Sequence, residues 1–386
     1  MERNSIVFIN QATGYLTIDI INDFAERYKK TALIAGSVRV QNNELHPSVR
    51  WSKIATYNRS SPFWKALSWL WGTVQIFFLL ATRYRSYEVF YISIPPTAYL
   101  LSLLLPQRFS LLVYDIYPDA LQVFKISEKH PIYQFWAWAN RRLFRRAHRI
   151  YTLGEGMAQV LSQYAQREKI TVIPNWTDTS LFRPVAKADN PFVKEHQLAE
   201  QFVVMYSGNI GYTHNVEVLV QVAELLKAEA EVLFLIIGRG DRTTAIKQLI
   251  TQKNLTNCLM LPFQPDDILP YSLAAADLAV ITLADETAQI SVPSKTYNFL
   301  AVGAPLLCIG SEDSEMHRLT QTFANGACFS KKAVQEIAQY IMQLKGDQKQ
   351  ITQLRQNSRA ASVNFTSANA KRYLETYVQS LAKAIS

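Results

Sequence analysis

The chain has 386 residues, of which 49% are hydrophobic and 18% charged. That length exceeds one typical core and that composition excludes a long disordered portion, so two folded domains are expected. Three widely spaced cysteines, Cys258, Cys308 and Cys328, exclude a disulfide framework or a zinc pattern and suit a reducing compartment.

The net charge of +9 is unevenly shared. Residues 1–185 hold 22 lysines and arginines against 12 acids, whereas the remainder holds 18 against 19. All seven tryptophans lie in the first half, from Trp51 to Trp176. Positive charge with interfacial aromatics fits an anionic membrane surface. Nucleic acid is drawn by the same charge, but no recognition motif supports it. The six histidines have no metal-ligand spacing, and no secretory signal precedes the first apolar run, so a cytoplasmic protein without a catalytic metal is expected.

In chain order, Ile6 to Ile9 reads as a first strand and residues 10–14 as the loop at its C-terminal end. Thr13 and Gly14 are acceptor-binding candidates there, because such loops face the ligand crevice in open α/β sheets and glycine permits close approach. Two apolar segments follow, Ala66 to Thr82 and Val89 to Gln107. Both read as buried α/β elements in preference to interfacial or spanning helices. The second divides into a strand from Val89 to Ile94, a turn at Pro95–Pro96 and a helix from Thr97 to Leu105. A strand from Leu111 carries Asp115 to its end, as an acceptor of a hydroxyl proton or as a helix cap. Five arginines among residues 141–149 close a helix, at a density beyond what its dipole needs, and suggest a membrane- or diphosphate-facing patch. Residues 178–190 look like the linker.

The second half alternates strand and helix more cleanly. Strands at Phe202 to Tyr206, Val232 to Ile237 and Cys258 to Leu261 lead into loops carrying Gly208–Asn209, Gly238–Arg239 and Phe263–Gln264. Neither glycine loop completes G-x-G-x-x-G, and no acidic ribose partner stands at a nicotinamide spacing, which counts against a dehydrogenase. A fourth strand, Leu278 to Leu283, feeds a polar loop. Pro293–Ser294 then signals a helix start, with Gly303 and Pro305 as its stop. The free N–H groups of that helix end, with Lys295 beside them, favour an anion, and Asn298 projects one turn on. Residues 366–386 read as a helical tail.

The segment Pro293-Ser294-Lys295-Thr296-Tyr297-Asn298-Phe299-Leu300-Ala301-Val302-Gly303-Ala304-Pro305 resembles the donor-site motif of family 4 glycosyltransferases. Ser207-Gly208-Asn209-Ile210-Gly211, Gly238-Arg239-Gly240, Ile173-Pro174-Asn175-Trp176 and Tyr114-Asp115-Ile116-Tyr117-Pro118 fall in that family's order and spacing. The resemblance implies the GT-B fold, with two Rossmann-like parallel-sheet domains facing a cleft. Their expected limits are residues 1–182 for the acceptor and 183–365 for a nucleotide-sugar donor, with residues 366–386 crossing back to the first domain. It also implies retaining, metal-independent transfer to a membrane- or lipid-linked glycan, as in surface polysaccharide assembly on the cytosolic face of a membrane. No cofactor beyond the donor substrate is implied.

Carried over by position, Asp115, Lys295 and Arg239 take the catalytic roles. Gly208, Asn209, Gly238, Phe263, Gln264, Ser294 and Asn298 take the donor. The pattern also departs from the family. Asn298 and Ile290 replace two glutamates of the donor motif, with Asp285 or Glu286 as substitutes from the same loop. Asn209 and His214 replace two cations of the first donor loop. These departures leave two other readings open, a catalytically silent nucleotide-sugar-binding subunit and a sugar-nucleotide epimerase.

Overall fold

A computed structural model describes residues 4–385 apart from 42, 59, 125, 213, 286, 287 and 291. The chain forms two compact units, Met1–Asn175 with Ser367–Ser386, and Trp176–Thr366. The first break therefore falls at Trp176, seven residues before the expected boundary. The reason is local bonding. The Thr177 amide donates to the Phe365 carbonyl, Arg359 donates to the carbonyls of Ala301 and Phe182, and Phe182 is buried. The expected linker is likewise built into the second unit, where Lys187 pairs with the buried Asp277 at 2.5 Å and Asn190 caps the helix Pro191–Glu195.

The first unit contains β1 (Ser5–Ile9), β2 (Ala12–Thr13), β3 (Lys30–Ala35), β4 (Ser37–Val38) and β5 (Arg50–Lys53). It continues with β6 (Glu88–Ile92), β7 (Phe109–Leu112), β8 (Ile150–Thr152) and β9 (Ile170–Val172). Seven of these form a parallel sheet in the order β5-β3-β1-β6-β7-β8-β9. Ile6 to Ile9 are completely buried because both faces of the sheet are covered, which is why the strand reads as an unbroken apolar run. The loop expected over residues 10–14 includes a short ladder of β2 with β4. The strand expected to reach Asp115 ends at Leu112. The Ser93 hydroxyl donates to the Leu112 carbonyl and accepts from the Tyr114 amide, replacing a strand partner and turning the chain. The helix expected from Thr97 to Leu105 is the 3-10 segment Ala98–Leu103.

The first apolar segment departs most from expectation. It forms the helix Pro62–Ala81, whose inner residues Ile76 and Leu80 are buried while Phe63, Leu70 and Phe78 are 69%, 62% and 61% exposed. By length and composition alone this helix is long and apolar enough to cross a membrane. Its inner side is committed to the loops that follow β1 and β5. Gln11 Nε2 donates to the Ala55 and Ser68 carbonyls, and Gln75 Oε1 accepts from the Ala55 amide.

The helix Ala368–Ile385 belongs to the first unit. Tyr377 is fully buried and donates its hydroxyl to Glu88 Oε2 at 2.8 Å, and the Tyr151 hydroxyl donates to the Tyr373 carbonyl. Glu88 is buried as well, with the Tyr28 hydroxyl and Arg108 as its further partners. Tyr377→Phe removes one donor from a buried carboxylate and should cost about 1–3 kcal/mol. A lower urea midpoint at unchanged slope is the expected record, and an unchanged midpoint would assign the bond no weight.

The second unit holds β10 (Phe202–Asn209), β11 (Val232–Arg239), β12 (Cys258–Leu261), β13 (Leu278–Thr282), β14 (Leu306–Ile309) and β15 (Gly326–Phe329). They form one parallel sheet in the order β12-β11-β10-β13-β14-β15. Order reverses between β10 and β13, and in open α/β sheets such a reversal opens a crevice at the strand ends. Residues from helices and strands alike, among them Val204, Leu219, Phe234, Val280 and Ile337, bury one continuous core beneath it.

Candidate active site

The crevice between β10 and β13 holds Lys295, the first residue of the helix Lys295–Ala301. Its ammonium stands 3.6 Å from the centre of the Tyr206 ring. The nitrogen is shielded from solvent and has no hydrogen-bond partner. Burial therefore brings its pKa down from 10.5 to about 7. Gly208 makes the room. A Cβ there would lie 3.2 Å from Lys295 Nζ, and the residue's φ of +152° suits glycine. Tyr206 and Gly208 face the same way because strand side chains repeat every two residues. The sequence thus contains the signal for this slot, an aromatic followed two residues on by glycine, although Tyr206 was not singled out.

Lys295 also acts on His214, whose pKa falls to about 4 through burial first and the lysine's charge second. His214 is accordingly neutral near pH 7. On the neighbouring strand, the Arg239 guanidinium lies over the Phe263 ring at 5.4 Å, which joins two candidates drawn from separate loops. Arg239 is exposed, and among the described residues no carboxylate is within ion-pair distance of it. Asn209 is exposed beside it, and its carbonyl accepts the Tyr206 hydroxyl. Gln264 donates to the Pro262 carbonyl at 2.8 Å. The last residues of β10 and β11 and the segments after β12 and β13 thus bring Gly208, Asn209, Gly238, Arg239, Phe263, Gln264 and Lys295 to one edge of one sheet; the glycine pairs expected in loops are strand ends.

Ser294 is exposed at the N-terminus of the helix but makes no side-chain cap. The amides of Thr296 and Tyr297 bond to the Pro293 and Ser294 carbonyls, so this helix end offers fewer free N–H groups than the sequence pattern suggests. Asn298 Oδ1 accepts from the Thr177 hydroxyl at 2.6 Å, a partner missed in the sequence because it lies 121 positions away. Ile290 is buried. Asp285, one suggested substitute for the missing glutamate, is ion-paired with Lys331 at 2.9 Å. The other, Glu286, lies outside the described residues, as does Ser291.

In the first unit, Thr13 does not fit the acceptor role assigned to it. It is buried, and its hydroxyl donates to the Asn10 carbonyl at 3.0 Å. Gly14 precedes the helix Tyr15–Arg27 with φ −118°, a conformation open to any residue, and faces open space. Asp115 follows β7 with its side chain reaching solvent. The surrounding protein raises its pKa and the Lys65 charge lowers it, the first effect being larger. Among the described residues no group of three histidines, cysteines or acids is placed to hold a metal ion.

A glycine-lined crevice at the order reversal of a parallel sheet, edged by cations, has the geometry and charge that suit an anion. Residues 189–361, all within the second unit, match the family described as glycosyl transferases group 1. That match spans less than half of the chain. It is 28% identical over 191 residues to WcaI of Escherichia coli (strain K12), named as a colanic acid biosynthesis glycosyl transferase. It is 25% identical over 214 residues to WbjE of Pseudomonas aeruginosa, named as a glycosyltransferase. These matches cover 48% and 55% of this chain and 46% and 53% of the relatives, so the chain spans about half the length of the curated relatives it matches. Anabaena Alr3699/HepE, solved in complex with UDP, shares the fold with a TM-score of 0.72 at 17% identity, over 97% of this chain and 100% of that one.

Proposed function

We propose that this chain is a retaining glycosyltransferase. It moves a sugar from a nucleotide-sugar donor to a membrane- or lipid-linked glycan on the cytosolic face of a membrane, in surface polysaccharide biosynthesis. The observation that carries the reading is Lys295, a buried cation with no anion, held beside a glycine slot at the reversal of the second sheet. A departing diphosphate supplies the missing charge. Arg239 stabilises the same group from the adjoining strand, and Phe263 and Gln264 face the base. Asn298, oriented by Thr177, offers its amide nitrogen to a ribose hydroxyl. Asp115 and Gly14 receive the acceptor on the first unit.

The chemistry asked of the protein is mainly electrostatic and positional. Charge develops on the leaving diphosphate in the transition state, and a preorganised cation in a dry site acts on it more strongly than in water. No resident metal or cofactor is assigned to these residues. A thermal-shift screen of nucleotide sugars, followed by transfer or donor hydrolysis with the best ligand, tests the reading. Arg239→Ala should lower kcat/KM by 10- to 1,000-fold, in the range of removing one charged donor from a transition state. Tight donor binding with neither transfer nor hydrolysis would instead support the catalytically silent binder.

A further inference from the structure

We propose that the helices Pro62–Ala81 and Pro131–Arg146 form a single seat on which the first unit rests against an anionic phospholipid bilayer. This rests on the membrane-associated reading above and names the surface and the lipid chemistry.

Three connections, β5 to β6, β6 to β7 and β7 to β8, run in one direction across the sheet, whereas β1 to β3 runs the other way. Right-handed crossovers place the first three on one face and the helix Tyr15–Arg27 on the opposite face, where it meets the C-terminal helix. On the shared face both helices pack against the 3-10 segment Ala98–Leu103. Aromatic contacts bridge them, Trp69 to Tyr117 at 6.3 Å and Tyr117 to Trp136 at 5.2 Å.

The outer side of this layer is apolar where it reaches water. Trp64, Trp71 and Phe78 recur every seven residues at 51%, 56% and 61% exposure. With Phe63, Leu67 and Leu70 they occupy an arc of roughly 120° at 100° per residue. On the second helix Phe135 and Trp138 are exposed, and Trp138 shares a hollow with Arg141, Arg142, Arg145 and Arg146. Half of the large apolar side chains exposed among the described residues belong to these two helices.

Charge selects the occupant. The two helices carry Lys65 and four arginines and no acid. Among the described residues none of these arginines has a carboxylate within ion-pair distance, so the cationic face is not neutralised from within. Guanidinium groups bind lipid phosphates bidentately, and tryptophan settles at the level of the headgroups. The inner side of Pro62–Ala81 is held by Gln11, Ala55 and the buried Ile76 and Leu80, so the helix lies in the interface rather than across the bilayer.

Co-sedimentation of the full chain with phosphatidylcholine vesicles, with and without 30% phosphatidylglycerol, tests the seat. The expected result is binding to the mixed vesicles in 0.1 M salt, at least tenfold weaker in 1 M salt and on pure phosphatidylcholine. Trp64→Ser/Trp71→Ser/Phe78→Ser and, separately, Arg141→Gln/Arg142→Gln/Arg145→Gln should each reduce it tenfold or more. All replaced side chains are exposed, and unchanged circular dichroism will show that both variants fold. No wild-type binding, equal binding to both vesicle types, or full retention by the arginine variant would overturn the proposal. So would a concentration-dependent dimer that the aromatic variant abolishes. Nucleotide-sugar binding by the wild-type chain without vesicles reports on the transferase reading separately, and its absence would count against that reading alone.

Discussion

Lys295→Met is expected to make the unliganded protein more stable and to abolish its affinity for nucleoside diphosphates. Folding takes this lysine from a pKa of 10.5 to about 7. Each unit corresponds to about 1.4 kcal/mol, so near neutrality the buried amine costs the fold on the order of a few kcal/mol. Methionine keeps the apolar stem over Tyr206 and removes that cost. Calorimetry at pH 8 should show Tm higher by about 5 °C or more, while titration with a nucleoside diphosphate gives no heat. Lower stability with retained affinity would remove the lysine from the centre of the site.

The pH dependence has a defined sign. Between about pH 10 and pH 7 the unfolded chain binds a proton that the folded chain refuses, so the wild type should lose stability as pH falls through that window and level off below it. Ligand affinity runs the other way. The ammonium is the binding form, so affinity should weaken by up to tenfold per pH unit above 7. Binding at pH 8 should take up close to one proton, visible as a buffer-dependent enthalpy. The Lys295→Met variant should show neither effect.

Gly238→Ala is expected to disrupt the second sheet at its crevice. Gly238 faces Gly208 across β11 and β10 with φ +158°, and a Cβ would lie 1.9 Å from the Gly208 carbonyl oxygen. Both strands would have to separate at the point where Gly208 makes room for Lys295. A cost of about 3 kcal/mol or more follows from the clash and the strained backbone together. Gly14→Ala is the control for glycine itself, since its φ is ordinary and nothing lies within 4 Å of the added carbon. Its cost should stay below about 1 kcal/mol. Urea titration of the two variants compares them directly, and equal midpoints would show that β10 and β11 tolerate the methyl.

Most strands of the second sheet were legible because each is an apolar run ending in a polar or glycine-bearing segment, and Cys258–Leu261 lies where the sequence puts it. The short strand Gly326–Phe329 was missed, since glycine, alanine and cysteine give little β signal and only its neighbour β14 makes it a strand. Candidates from four loops could be grouped from order alone, because strand ends share one edge. The partners that orient them could not. Thr177 beneath Asn298, Lys331 on Asp285 and the Asn10 carbonyl that occupies Thr13 are tertiary contacts without a local pattern. The apolar segment at residues 66–82 misled for a different reason. Hydrophobic content reports the desire to leave water and says nothing of whether protein or lipid provides the refuge.

The C-terminal helix has a consequence for synthesis. Residues 367–386 complete a unit whose other residues emerge first, so a ribosome must release all of 176–366 before Tyr377 can reach Glu88. Until then the side of Phe90 and Tyr151 that the helix covers stays open, and the second unit has its whole sequence available earlier. During translation, the second unit should mature ahead of its partner even though its sequence comes later.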